Sequence, residues 1–182
     1  MSQPPLPEEQ DHNVSLPHAR CYWVSPTLLV GAHPSCRHHL GTGDVVDDLL
    51  GVGVRVFVDL TTSEDCADYL GPMLGHADEP SLEAVRVGVR DFGTPTVGQV
   101  ELVLAKVAEA QRTGRTLYLH DHSCGGRTSV MVGCVLAATR SGAEALDRVS
   151  ELRLEAGVAD SPSFDVVSQS EFVLAWADRR RG

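Results

Sequence analysis

Leu117-Tyr118-Leu119-His120-Asp121-His122-Ser123-Cys124-Gly125-Gly126-Arg127-Thr128-Ser129-Val130 is the stretch on which the fold turns. Thr116 to His120 holds Leu and Tyr with no breaker and reads as a buried strand. Thr128 to Thr139 is nearly continuous in Val, Met, Leu, Ala and Cys, and a helix apolar on all sides is a central one. A short loop with two glycines joins them. Such a loop at a helix N-terminus turns backbone N–H groups inward, and the helix dipole adds partial positive charge. Arg127 ends the loop, where its planar fork can grip two oxygens of one anion. On these residues alone two readings stand open. One is an anion site; the other is the strand-loop-helix turn common in α/β proteins, which often binds nothing.

The same stretch resembles the phosphate loop of the protein tyrosine and dual-specificity phosphatases. That family reads His-Cys, five residues, Arg, then Ser or Thr. His120, Arg127 and Thr128 match in register, and Gly126 matches a common glycine. Two positions depart. Asp121 holds the place of the cysteine nucleophile, and Cys124 stands where the family usually has Gly. Cys124 is too near Arg127 to replace the nucleophile, because a five-residue loop wraps a phosphate and a two-residue loop cannot.

The resemblance implies an α/β fold, a mostly parallel twisted sheet with helices on both faces. Its ligand site lies at the carboxyl end of the strand ending at His120. It implies ligand contacts from His122, Ser123, Cys124, Gly125, Gly126, Arg127 and Thr128. Arg90-Asp91-Phe92-Gly93-Thr94-Pro95-Thr96 resembles the family's mobile acid loop, with Asp91 as proton donor. Read without the family, Asp91 precedes a Gly-Pro turn and caps or solvates. Ser161-Pro162 followed by Gln169 resembles the last motif, whose Gln orients water, although the residues between do not read like the family. The implied catalytic set is therefore Asp121, Asp91, Arg127 and Gln169. His33, in the loop after the first hairpin, is expected to line the pocket. Its neighbours Cys36, His38 and His39 lack metal-site spacing, so neither a metal nor another cofactor is expected.

Composition narrows the function classes. The chain has 182 residues, 42% hydrophobic and 22% charged, which suits one soluble domain with a sizeable core. The net charge of −10 argues against nucleic acid and anionic membranes, which demand basic patches. It leaves room for a phosphorylated small molecule or phosphopeptide, which feels the local loop field. Five scattered cysteines and no apolar leader point to a reducing cytoplasm. The organisation reads as a flexible arm over residues 1–19, a phosphatase-like domain over 20–177, and a basic tail over 178–182, with the oligomeric state left open.

The remaining elements follow from local pattern. Cys21–Val24 and Leu28–Gly31 flank the turn Ser25-Pro26-Thr27 and read as a hairpin. Asp44–Leu50 reads as a short helix, Val54–Leu60 as a central parallel strand, and Val85–Val89 as another strand. Residues 65–82 read as a surface connection. Amphipathic helices are expected over Val97–Arg112, Ala143–Glu155 and Gln169–Ala177.

Asp121 leaves three chemistries open. A carboxylate is a poor nucleophile, and it repels a phosphate dianion by about 4 kcal/mol at about 4 Å and an effective dielectric of about 20. The domain is then a silenced phosphatase that still binds an anion. Alternatively Asp121 accepts a phosphoryl group. In the third case it moves protons with Asp91 on a phosphate-anchored substrate, as an isomerase, lyase or cyclase would.

Overall fold

A computed structural model of the protein describes residues 16–17, 20–35, 42–65, 82–159 and 162–181. Most of the expected arm, Cys36, His38, His39, Ser161 and most of the 65–82 connection lie outside the described residues.

Among the described residues the elements follow in order: β1 (Cys21–Ser25), β2 (Leu28–Ala32), α1 (Thr42–Gly51), β3 (Val54–Asp59), β4 (Glu83–Arg86), α2 (Val97–Thr113), β5 (Thr116–Asp121), α3 (Gly126–Leu136), α4 (Gly142–Glu155) and α5 (Val167–Arg181). The sheet order is β1-β2-β5-β3-β4. The β1–β2 hairpin is antiparallel, and β2, β5, β3 and β4 pair in parallel. β5 is thus the central strand, and the loop that follows it opens at the carboxyl ends of its parallel neighbours.

Side-chain alternation divides the core into two layers. Leu117 and Leu119 of β5, with Val56 and Val58 of β3 and Leu28 and Val30 of β2, pack under α2, α3, α4 and α5. Tyr118, Phe57 and Leu29 point the other way, against Val45, Val46 and Leu49 of α1. Helices therefore cover both faces, as a parallel sheet requires. α3 is buried along nearly its whole length. A Cβ at Gly133 would come within 2.9 Å of Val173, so this glycine lets α3 and α5 approach closely.

The helix starts were written locally. Thr96 and Gln99 form a reciprocal capping box at α2, and Ser141 and Glu144 form another at α4. Gly114, at φ 65°, closes α2 in the left-handed conformation.

Some boundaries differ from expectation. β4 begins two residues earlier than the valine pattern suggested. Gly88, at φ 56°, ends regular pairing, yet Val87 and Val89 still donate to the Asp59 and Leu60 carbonyls at 2.8 and 2.9 Å. α3 starts at Gly126 and stops at Leu136, because Ala138 and Thr139 tighten onto carbonyls three residues back. α5 continues to Arg181 and takes the arginines of the expected tail into its last turn, where cations suit the dipole. Among the described residues no helix is long and apolar enough to cross a membrane.

Candidate functional site

The loop after β5 encloses a carboxylate of its own. Asp121 is the last residue of β5 and is 2% exposed. Its Oδ1 accepts the N–H of Ser123 at 2.8 Å and of Gly125 at 3.1 Å. Its Oδ2 accepts Gly125 at 3.1 Å and Thr128 at 3.0 Å. Inward-facing amides are what the glycine loop promised, and here they converge on Asp121.

The outward carbonyls are held in turn. Arg20 donates to the Ser123 carbonyl from Nε at 3.2 Å and Nη2 at 3.1 Å. Arg153 of α4, fully buried, donates to the Cys124 carbonyl and, at 3.1 Å, to Val158. Thr128 Oγ1 donates to the Gly125 carbonyl at 2.7 Å. Two arginines and a threonine thus turn the carbonyls out, which keeps the N–H groups aimed in.

Cys124 explains its own oddity. Its φ is 61°, the left-handed region that glycine fills without strain. Its side chain is fully buried in the core. Burial first, then the negative charge of Asp121, push the thiol up to about 12. Such a group supplies almost no thiolate at neutral pH.

Arg127 is 4% exposed and paired on both sides. Its Nη1 meets Asp65 Oδ2 at 2.6 Å and the Val89 carbonyl at 3.2 Å, and its Nη2 lies 3.4 Å from Asp91 Oδ1. Burial works against the charge on Asp65, but the Thr62 N–H and Arg127 outweigh it and hold that carboxyl below its ordinary value. Asp165, just ahead of α5, accepts the Gly126 N–H at 3.1 Å. A Cβ at Gly126 would come within 2.2 Å of this carboxylate and 2.4 Å of Gln169 Oε1, so a side chain there would have to push both aside. The Asp165 carboxyl is raised above its ordinary value by burial, then by the charges of Asp121 and Asp91.

Among the described residues a pocket of about 430 Å³ opens here, lined by Glu64, Asp65, Asp91, Phe92, His122, Ser123, Arg127 and Asp165. Four carboxylates face one guanidinium. Phe92 stands at the rim, 60% exposed and at φ 56°.

Of the expected residues, Asp91, His122, Ser123 and Arg127 line the pocket, and Asp121 and Thr128 are buried in the loop behind it. Three others are placed differently from expectation. His33 does not line the pocket: it is fully buried, with its ring edge-on to His120 at 5.2 Å and Nδ1 held by Ser35 at 2.7 Å. Cys124 contributes its backbone, its thiol pointing into the core. Gln169 is fully buried and acts as a clamp, its Nε2 donating to the Gly93 carbonyl at 3.1 Å and its Oε1 accepting the Asp165 N–H at 2.8 Å. The capping reading of Asp91 also falls, since Thr96 caps α2.

His33, Asp59 and His120 bring one ligand-type atom each within 4.8 Å of one another. The Asp59 carboxylate is already engaged by Thr61 and Arg86, at 2.7 and 2.9 Å. His120 approaches it at 3.8 Å but is no ion-pair partner at neutral pH, because burial lowers its pKa to about 3.

Sequence reasoning missed Asp165, Asp65, Arg20 and Arg153. Asp165 carried one usable signal: an acidic residue just before a helix, four positions ahead of Gln169.

A family model described as the DSP-PTPase phosphatase fused to NAD+ kinase matches residues 40–173. The chain belongs to this family. Its fold is shared with solved phosphatases of low sequence identity. Kinase associated phosphatase, crystallised with its catalytic cysteine replaced by serine, is 17% identical, with a TM-score of 0.73 over 90% of this chain and 96% of that one. PTPMT1 in complex with PI(5)P is 18% identical, with a TM-score of 0.67 over 88% and 96%. TpbA of P. aeruginosa in complex with pTyr is 15% identical, with a TM-score of 0.61 over 93% and 95%. In this phosphatase-family chain Cys124 lies within the β5–α3 loop.

Proposed function

We propose that this domain binds a phosphorylated or similarly anionic ligand, a small molecule or a phosphopeptide, and does not hydrolyse phosphoesters by the thiol route. One observation carries the reading. The carboxylate of Asp121, which the sequence resemblance aligns with the family's cysteine, stands at the focus of the loop amides. The neighbouring thiol of Cys124 is buried and protonated. Ligands in the solved relatives, pTyr and PI(5)P, support a phosphomonoester as the class. Arg127 is the grip for such a group, and Arg153 beneath the loop adds buried positive charge that partly offsets Asp121. The amide bonds already made by both Asp121 oxygens count against its acting as a phosphoryl acceptor, since a nucleophile needs a lone pair facing the substrate.

The test is turnover of a generic aryl phosphate. The natural chain is expected to show none. Asp121→Cys is expected to gain measurable turnover, abolished by thiol alkylation, because Asp91 and Arg127 already line the pocket. Turnover by the natural chain that survives alkylation would overturn the reading.

A second reading, a non-hydrolytic proton-transfer enzyme on a phosphate-anchored substrate, is favoured by Asp165. Its carboxyl, raised above the ordinary value by burial and by the charges of Asp121 and Asp91, shares the pocket with Asp91, and neighbouring carboxyl groups suit proton transfer. A folded Asp121→Cys variant that binds phosphate yet shows no turnover would select it.

A further inference from the structure

We propose that the segment entering α5 is an autoinhibitory latch, in which the Asp165 carboxylate occupies a loop amide that an incoming oxyanion needs. The proposal rests on the oxyanion-binding reading above and adds its regulation.

The first turn of a helix offers unsatisfied N–H groups, and these give a strand-loop-helix site its anion affinity. Here two of them are already taken. Thr128 donates to Asp121, and Gly126 donates to Asp165 at 3.1 Å. Asp121 belongs to the loop itself. Asp165 lies 39 positions along the chain and lines the pocket, so its carboxylate reaches the Gly126 N–H from the ligand's side. An arriving phosphate would compete for that N–H and be repelled by the charge holding it.

The latch is also tied to the acid loop. The Asp165 N–H donates to Gln169 Oε1 at 2.8 Å, and Gln169 Nε2 donates to the Gly93 carbonyl at 3.1 Å. Gln169 is buried and fixed, whereas Asp165 is exposed enough to swing. Release of the Asp165 carboxylate therefore frees the loop amide, while the Asp165 backbone stays held by Gln169. Gly126 admits this contact only because it lacks a side chain.

Protonation is the natural release. The groups facing Asp165 are Asp121, His122 and Arg127 from the β5–α3 loop and Asp91 from the acid loop. From the exit of β3 come Glu64 and Asp65, and Arg153 lies beneath from α4. Burial, and after it the charges of Asp121 and Asp91, outweigh the Gly126 N–H and Arg153, so Asp165 takes up a proton at a higher pH than an ordinary carboxyl. Acidification should thus loosen the latch and strengthen oxyanion binding.

Sulfate is the probe, since unlike phosphate it keeps a fixed charge across the range. Calorimetric titration of the full chain with sodium sulfate is compared for the natural protein, Asp165→Asn and Asp165→Ala, with Arg127→Ala as the non-binding baseline. The Asp165 variants are expected to bind at least about tenfold more tightly at about pH 7.5, the scale of removing one nearby like charge. As pH is lowered from about 7.5 toward the carboxyl range, the natural chain should gain more affinity than Asp165→Asn, which has no proton to take up at that position. Equal affinities in natural chain and variants, with sulfate bound, would overturn the latch and leave the oxyanion reading standing. No binding by any folded form would overturn both. Asp165→Asn keeps an oxygen for Gly126 and an unchanged volume, so it stays informative should Asp165→Ala unfold.

Discussion

Two carboxylates end neighbouring parallel strands and are neutralised in different ways. Asp59 ends β3 and Asp121 ends β5, and both are almost fully buried. Asp59 meets a side-chain cation, Arg86 at 2.9 Å, and the N–H and hydroxyl of Thr61. Asp121 meets only backbone N–H groups in direct contact. The first arrangement cancels a charge within the fold. The second solvates a charge but leaves its field directed at the pocket. Burial alone therefore does not tell a structural acid from a functional one; the identity of the donors does.

The largest expected effect breaks the pair at Asp59. Asp59→Ala leaves the Thr61 N–H and hydroxyl without this acceptor and takes one partner from Arg86, and should cost about 3–5 kcal/mol, since each buried donor left unsatisfied costs about 1–3 kcal/mol. Asp121→Ala should cost less, about 1–3 kcal/mol, because water or an anion can replace the carboxylate at the loop amides. Urea unfolding of both variants decides, and an equal or greater loss at Asp121 would erase the distinction.

Acid sharpens it next. The pKa of His120 beside Asp59 is lowered from 6.5 to about 3 by burial. Between those values the unfolded chain binds the proton and the folded chain does not, so stability falls as pH drops through this window. Asp59 is also lowered: burial opposes its charge, but His120, Thr61 and Arg86 prevail. Its contribution is present above its unfolded pKa and is lost as pH falls through the folded one. Melting temperature followed from about pH 7 to about pH 2 should therefore begin to fall well before carboxylates titrate. His120→Asn should flatten the upper part of that slope, and an unchanged slope would remove His120 as its source.

The smallest effect is expected at Asp91. Its side chain is 55% exposed, and it caps nothing. Asp91→Asn should change stability by less than about 0.5 kcal/mol. A larger loss in urea unfolding would place it with Asp59 as a structural acid.

These carboxylates also mark how far the sequence could be read. Strand, loop and helix around Asp121 were legible because apolar runs and glycines are local signals. So were the hairpin at Pro26 and the amphipathic helix over Ala143–Glu155. Asp91 and Arg127 were placed by register within a family pattern. Asp165, Arg20 and Arg153 were not legible, because their partners lie 29 to 103 positions away and nothing nearby marks them. His33 misled for the converse reason: its position after the hairpin suggested a rim, while strand β2 carries it beneath the loop, against His120.

The clasp on the loop carbonyls has a consequence for the order in which the molecule is made. Arg20 reaches Ser123 across 103 positions, and Arg153 reaches back 29 to Cys124. A chain leaving the ribosome delivers the first arginine early and the loop much later. The second arginine arrives only when most of α4 has emerged. Contacts of wide sequence separation form slowly, since loop closure must come first. The amide cradle is thus among the last parts to take its final shape, and a nascent chain passes through most of its synthesis without one.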